Sequence, residues 1–309
     1  MAAPLDLKME FASDEEEPST TTYPKQGNQS FLSKLKLKRP QLPMSKYDNR
    51  IVFDILKDSL QPGSETSIPI AAQRISDLLE PGPVPEASAE LTSLMEMFLE
   101  VAWQIPYNHP SLVKLVQILV RLSDTGKTTR IYDEPDGFNQ CSYLHKLGSI
   151  FRDYFAQPYE KGSSFKSEEV SRWISQHAFM ALVFASGKDN LSLFALWVMR
   201  DAFEGSNTPE STDADAAAAA QWILYAGQTL FRFVQLPELC DSHELNLTDP
   251  GPLYTGEKGF TVKRWRFWIE GFSRVADRTD SHEEVRKLAQ DAKVLMEAME
   301  ATSPFLPSG

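Results

Sequence analysis

The sequence predicts an all-α protein: a compact domain of about ten helices behind a disordered N-terminal tail. Three observations lead there. From Arg50 onward apolar residues recur at three- and four-residue spacing. Proline, glycine and capping residues punctuate that pattern at helix-length intervals. No alternating strand pattern runs longer than a few residues. An irregular superhelix of helix pairs is the alternative architecture, although no repeat of fixed period is present.

Residues 1–46 differ from the rest. Ser, Thr, Pro, Lys and Glu dominate, and the apolar residues look too scattered to bury a face, so this stretch reads as a disordered tail dispensable for folding. Residues 47–303 read as one helical domain and 304–309 as a short C-terminal tail. Ile51, Phe53, Ile55, Leu56 and Leu60 mark a first helix, closed by Pro62-Gly63. Ile70–Leu79 forms a second, stopped at Pro81, and Leu91 to Ala102 a third that ends before Pro106. Pro110 opens a helix over Ser111–Leu122 that is apolar on nearly every face. Asp124–Gln140 reads as a loop, and Leu144 to Phe155 as the next helix. Ser167, followed by Glu168 and Glu169, caps a helix running to Ala185. Asn190–Phe203 is a second helix apolar all round, so it and Ser111–Leu122 are expected at the centre of the domain. Asp213–Val234 begins with an alanine run of high helix propensity. A long loop over Pro237–Lys258 precedes a helix over Thr261–Val275. Ser281 with Glu284 predicts a capping box for the last helix, whose stripe is Val285, Leu288, Ala289, Ala292, Leu295 and Met299.

Composition narrows the function. A chain of 309 residues with net charge −12 carries the wrong sign for neutralising phosphates, which argues against nucleic-acid and anionic-membrane partners. Two cysteines, Cys141 and Cys240, make no disulfide framework and suit a reducing, intracellular setting, most simply the cytoplasm. No signal peptide or membrane-length apolar run is apparent. The basic run Lys34–Arg39 is a weak nuclear-import signal, more simply read as solvated tail.

Chemical motifs are sparse. Gly126-Lys127-Thr128 resembles the end of a phosphate-binding loop, but the position five residues before Gly126 is Arg121 and a helix precedes it, not a strand. Cys240 and His243 have metal-ligand spacing without partners, so no metal and no cofactor is expected. His177 lies on the stripe Val170, Trp173, Ile174, His177, Ala178, Ala181; a buried neutral imidazole bonded to a backbone carbonyl is the plain expectation, a general base or ligand contact beside Trp173 the sharper one. Trp265, Trp268, Ile269 and Phe272 share one helix face, and Arg264 can lie along Trp268. That face is either core or the rim of a pocket. The candidate ligand-binding residues are therefore Trp173, His177, Arg264, Trp265 and Trp268, with no catalytic residue among them.

Gly251-Pro-Leu-Tyr254, Gly259-Phe260 and Arg264-Trp-Arg-Phe-Trp268 resemble the closing signature of a fungal family of uncharacterised helical proteins, a domain of unknown function. Trp173 with Ala178-Phe179, and Ala220 to Gly227, resemble it as well. The resemblance implies a fungal, soluble, helical protein, with relatives sometimes encoded near specialised metabolism and with no assigned catalytic residues.

Two functions follow. One is a non-enzymatic helical interaction module with a protein partner. The other is a cofactor-independent auxiliary enzyme or binder of a small apolar or aromatic ligand, with its pocket at the five candidate residues. The sequence leaves oligomeric state open.

Overall fold

The computed structural model of the chain describes residues 2–11, 46–80, 88–134, 137–142, 145–153, 165, 167–205, 209–236 and 247–303. The protein is all-α. Ten helices occur among the described residues: α1 (Asn49–Ser59), α2 (Ile68–Leu78), α3 (Ala89–Gln104), α4 (Pro110–Ser123), α5 (His145–Asp153), α6 (Glu168–Ala185), α7 (Ser192–Phe203), α8 (Pro209–Gln235), α9 (Val262–Asp277) and α10 (Glu283–Ala301). None is long and apolar enough to cross a membrane. The expected cap Ser167 is present, and three that were not read from the sequence join it. Asp48, Ser88, Ser167 and Thr261 each accept a first-turn N–H, which fixes where α1, α3, α6 and α9 begin.

The centre of the molecule is not where the apolar-all-round helices suggested. Every residue of α8 from Asp213 to Ile223 is buried, and α6, α7, α9 and α10 all pack against this helix. The reason is volume. Ala214 and Ala216–Ala220 project only methyl groups, so neighbouring helices can approach α8 on several sides at once. By contrast α4 keeps one side to the surface, where Gln117 and Arg121 are exposed. α7 does bury most of its length, against α8.

Three further departures have local causes. The stretch read as a loop contains a hairpin: β1 (Thr129–Glu134) pairs antiparallel with β2 (Gly137–Ser142), and the pairing closes at Glu134 with Gly137. The last helix is capped by His282, whose Nδ1 accepts from Glu284 N–H at 3.3 Å, and not by Ser281. Ser281 instead donates to Asp213 at 2.8 Å, tying this turn to the first buried turn of α8. Late in α10 Met296 is fully buried, while Leu295 is half-buried.

A fifth departure lies in the segment read as tail. Residues 2–11 are extended and packed on the domain, with Leu7 wholly buried and Leu5, Met9 and Phe11 against the core. Leu5-Asp-Leu-Lys-Met-Glu-Phe11 alternates apolar with charged residues, a strand-like period that buries one side even in a short, charged segment. Residues 12–45, with the basic run, and 304–309 lie outside the described residues.

Candidate functional site

The residues expected to form one pocket belong to two buried clusters. In the first, Arg264 near the start of α9 meets Glu204, the residue that ends α7. The pair is bidentate: Arg264 Nε donates to Glu204 Oε1 at 2.7 Å and Nη2 to Oε2 at 2.9 Å, and both side chains are 0% exposed. The remaining guanidinium donors reach the carbonyls of Thr248 (2.8 Å), Gly259 (3.3 Å) and Asp249 (3.4 Å). Arginine has five N–H donors, and all of them are thereby engaged within the protein. Glu204 also accepts from Trp268 Nε1 at 2.8 Å and from the Gly251 N–H at 2.8 Å.

The sequence around this pair follows from its geometry. A Cβ on Gly251 would lie 2.6 Å from the Glu204 carbonyl oxygen, so no larger residue fits there. Gly259, at φ +77°, takes a left-handed conformation that brings its carbonyl to Arg264. The cation lies 5.5 Å from the ring centres of both Trp268 and Tyr254. Sequence reading missed Glu204. Its one signal was position: a carboxylate at a helix C-terminus opposes the macrodipole and calls for a compensating cation.

In the second cluster, His177 of α6 accepts a hydrogen bond at Nδ1 from Trp222 Nε1 of α8, at 2.9 Å. At Nδ1, then, the partner is an indole, where the sequence suggested a backbone carbonyl for the ring. Trp173 meets the imidazole edge-on with ring centres 4.3 Å apart. Complete burial pushes the His177 pKa down to about 3, so the ring is neutral at physiological pH. Trp265 lies on the Phe231 ring, 5.0 Å between centres. The aromatic face of α9 is core: Trp265 and Trp268 are each 1% exposed.

The loop resembling a phosphate site is occupied with helix ends. Lys127 Nζ donates to the carbonyls of Ser76 (2.7 Å) and Leu79 (3.1 Å), capping α2, and the Thr128 hydroxyl bonds Leu122. Cys240 and His243 lie outside the described residues.

The open surface is elsewhere. A cleft of about 980 Å³ runs between the N-terminal segment, the end of α3, the start of α6 and the start of α10. Trp103, Tyr107 and Phe165 give it an aromatic wall, and Glu100, Glu168 and Glu284 outweigh Arg172 in charge. Arg172 lies 3.5 Å over the Trp103 ring, and Trp103 Nε1 donates to Gln176 at 3.0 Å. The Tyr107 hydroxyl donates to Glu284; burial and this carboxylate together raise the phenol above its usual range. A shallower apolar cleft of about 590 Å³ follows α4 past Val113, Val116 and Val120. Smaller ones, about 560 and 400 Å³, lie beside Phe267 and Phe233. None of these four is lined by Trp173, His177, Arg264, Trp265 or Trp268.

Residues 95–272 match a family described as protein of unknown function (DUF3632). No curated protein and no solved structure matches the chain.

Proposed function

Because the chain belongs to the DUF3632 family, whose description names no activity, we propose a function from its chemistry: a non-enzymatic helical interaction module that binds a protein partner. One observation carries this reading. The strongest cation of the signature, Arg264, spends every donor on the protein itself, as His177 spends Nδ1 on Trp222. Groups committed in this way hold a scaffold and have little left for a substrate. The open cleft at Trp103 offers aromatic faces and excess carboxylate, which suits a basic, aromatic segment of a partner. A second reading, a small aromatic ligand in the same cleft, draws on its volume and its three rings. The family resemblance supports a fungal origin and a place beside specialised metabolism; the scarcity of cysteine supports the cytoplasm.

Site-specific cross-linking tests the proposal. A photoreactive residue at exposed Ser171, on the cleft rim, should give a discrete heavier adduct in cells, and one at exposed Val294 should not. The charge reversal Glu168→Lys should remove that adduct. If no cleft-dependent adduct forms and a small aromatic compound raises the melting temperature instead, the second reading replaces the first.

A further inference from the structure

Residues 3–11 lie in a groove formed by α1, α3 and the start of α4, and the groove grips their main chain. His109 Nε2 donates to the Ala3 carbonyl at 3.0 Å. The Gln61 carboxamide accepts from Leu5 N–H at 3.1 Å and donates to Leu5 C=O at 3.0 Å. Gln104 does the same for Lys8, at 2.8 Å in both directions. In an extended chain, residues an odd number apart turn their N–H and C=O to opposite edges. The segment is thus held on both edges, with one glutamine standing in for each neighbouring strand.

The three polar side chains are also held from the domain's own side. Gln61 Nε2 also bonds the Lys57 carbonyl (3.2 Å), and Gln104 Nε2 the Glu100 carbonyl (3.2 Å), each four residues back on or beside its own helix. His109 Nδ1 accepts from Ser111 N–H at 3.2 Å, which leaves the proton on Nε2, aimed at the groove. Between these clamps Leu7 fills a fully closed apolar site, and Phe11 meets Phe53 with ring centres 5.9 Å apart. Asp6, Lys8 and Glu10 face outward and make no demand on the groove beyond being polar.

Preoriented main-chain readers with one deep side-chain site are the arrangement by which extended peptides are recognised. We infer that this groove is a binding site for extended peptide segments, held in cis by the chain's own residues 3–11 and open in trans to partner segments of the same apolar–charged alternation with leucine at the Leu7 position. Covalent attachment through residues 12–45 keeps the cis segment at an effective concentration on the order of millimolar, so a partner segment must compete with it or be tethered itself. The groove adjoins the Trp103 cleft, which Asp6, Lys8, Glu10 and Gln104 also line; exchange is read with the segment's own peptide, so it is measurable whether or not that cleft has a partner.

The test uses the full chain with a specific protease site placed between residues 20 and 30. After cutting, a fluorescent peptide of residues 2–11 is titrated against cut and uncut protein by anisotropy. The cut protein should take up the peptide saturably, about 100-fold more tightly than the uncut chain, as expected when a millimolar effective concentration no longer opposes a peptide of ~10 μM affinity. The Leu7→Asp peptide should lose at least about tenfold. Gln104→Ala, a surface change in an otherwise intact chain, should weaken uptake of the wild-type peptide after cutting. A random-peptide selection on the cut protein should return apolar–x–Leu–x–apolar sequences. Failure of the cut protein to exchange its segment over days, or its precipitation on cutting, would show that these residues are an integral strand of the core. Equal binding of the Leu7→Asp peptide, or selected sequences lacking the alternation, would equally overturn the inference.

Discussion

At Glu204 the carboxylate accepts from Arg264, Trp268 and the Gly251 N–H, and neither charged side chain reaches water. Glu204→Ala strands a buried guanidinium and should cost about 3–5 kcal/mol in urea unfolding. Replacing both charges, as in Glu204→Leu with Arg264→Met, should recover a large part of that loss, because no unpaired charge remains; a double variant as unstable as the single would show that the other contacts dominate. His177 gives a prediction in pH. An imidazole in the unfolded chain protonates near pH 6.5, but in the fold only near 3, because burial disfavours the cation. Between those values the unfolded state binds the extra proton, so stability falls as pH drops from about 6.5 toward 3. The His177→Gln variant should lack this component, with a shallower slope by up to about 1.4 kcal/mol per pH unit. Of these groups, His177 and Trp268 were legible as stripe positions, and Arg264 as a cation beside Trp268 but not as a buried one. Their partners were not. Trp222 lies 45 residues from His177 and Glu204 lies 60 from Arg264, and helical periodicity carries no information across such separations.

Helices were the most readable level, since spacing is local; of the two N-caps read from the sequence, Ser167 holds and Ser281 gives way to His282. α10 shows the limit. Its stripe is right at Val285, Leu288, Ala289, Ala292 and Met299 and misses at one position, with Met296 inside where Leu295 was expected. From Ala292 both the three-residue step to Leu295 and the four-residue step to Met296 are helical spacings, and the fold takes the second before Met299. Met296→Asp should therefore cost several kcal/mol by thermal or urea melts, and Leu295→Asp distinctly less. The order reversed would put the helix in a different rotation. The hairpin escaped notice because β1 and β2 are largely polar and lack a clean alternation. The punctuation was present in Pro135-Asp136-Gly137, a turn signal in its own right.

For the molecule as a whole, the alanine run decides how the helices assemble. An alanine-rich stretch scores as helix former rather than as core, so its place at the centre was hidden: burial there comes from the bulk of α6, α7 and α10, not from its own side chains. Ala218→Leu, at a site with no exposure, should cost about 1–3 kcal/mol or more through overpacking, despite leucine's greater hydrophobicity. A stabilised variant would mean that the helices around α8 leave unfilled space.

The clasped N-terminal segment also bears on the order of events during synthesis. Its Lys8 waits for Gln104, 96 residues downstream, and its Ala3 for His109, 106 residues downstream. At ribosomal rates of about 5–20 residues per second, that is an interval of roughly 5–20 s. Throughout it, Leu5, Leu7, Met9 and Phe11 have no groove to enter. A strand-like apolar segment exposed for so long invites pairing with other nascent chains. Asp6, Lys8 and Glu10, which contribute little to the finished groove, sit at every second position, where a charge interrupts such pairing. The charges that line the Trp103 cleft in the folded state thus also guard the segment while its groove is still being made.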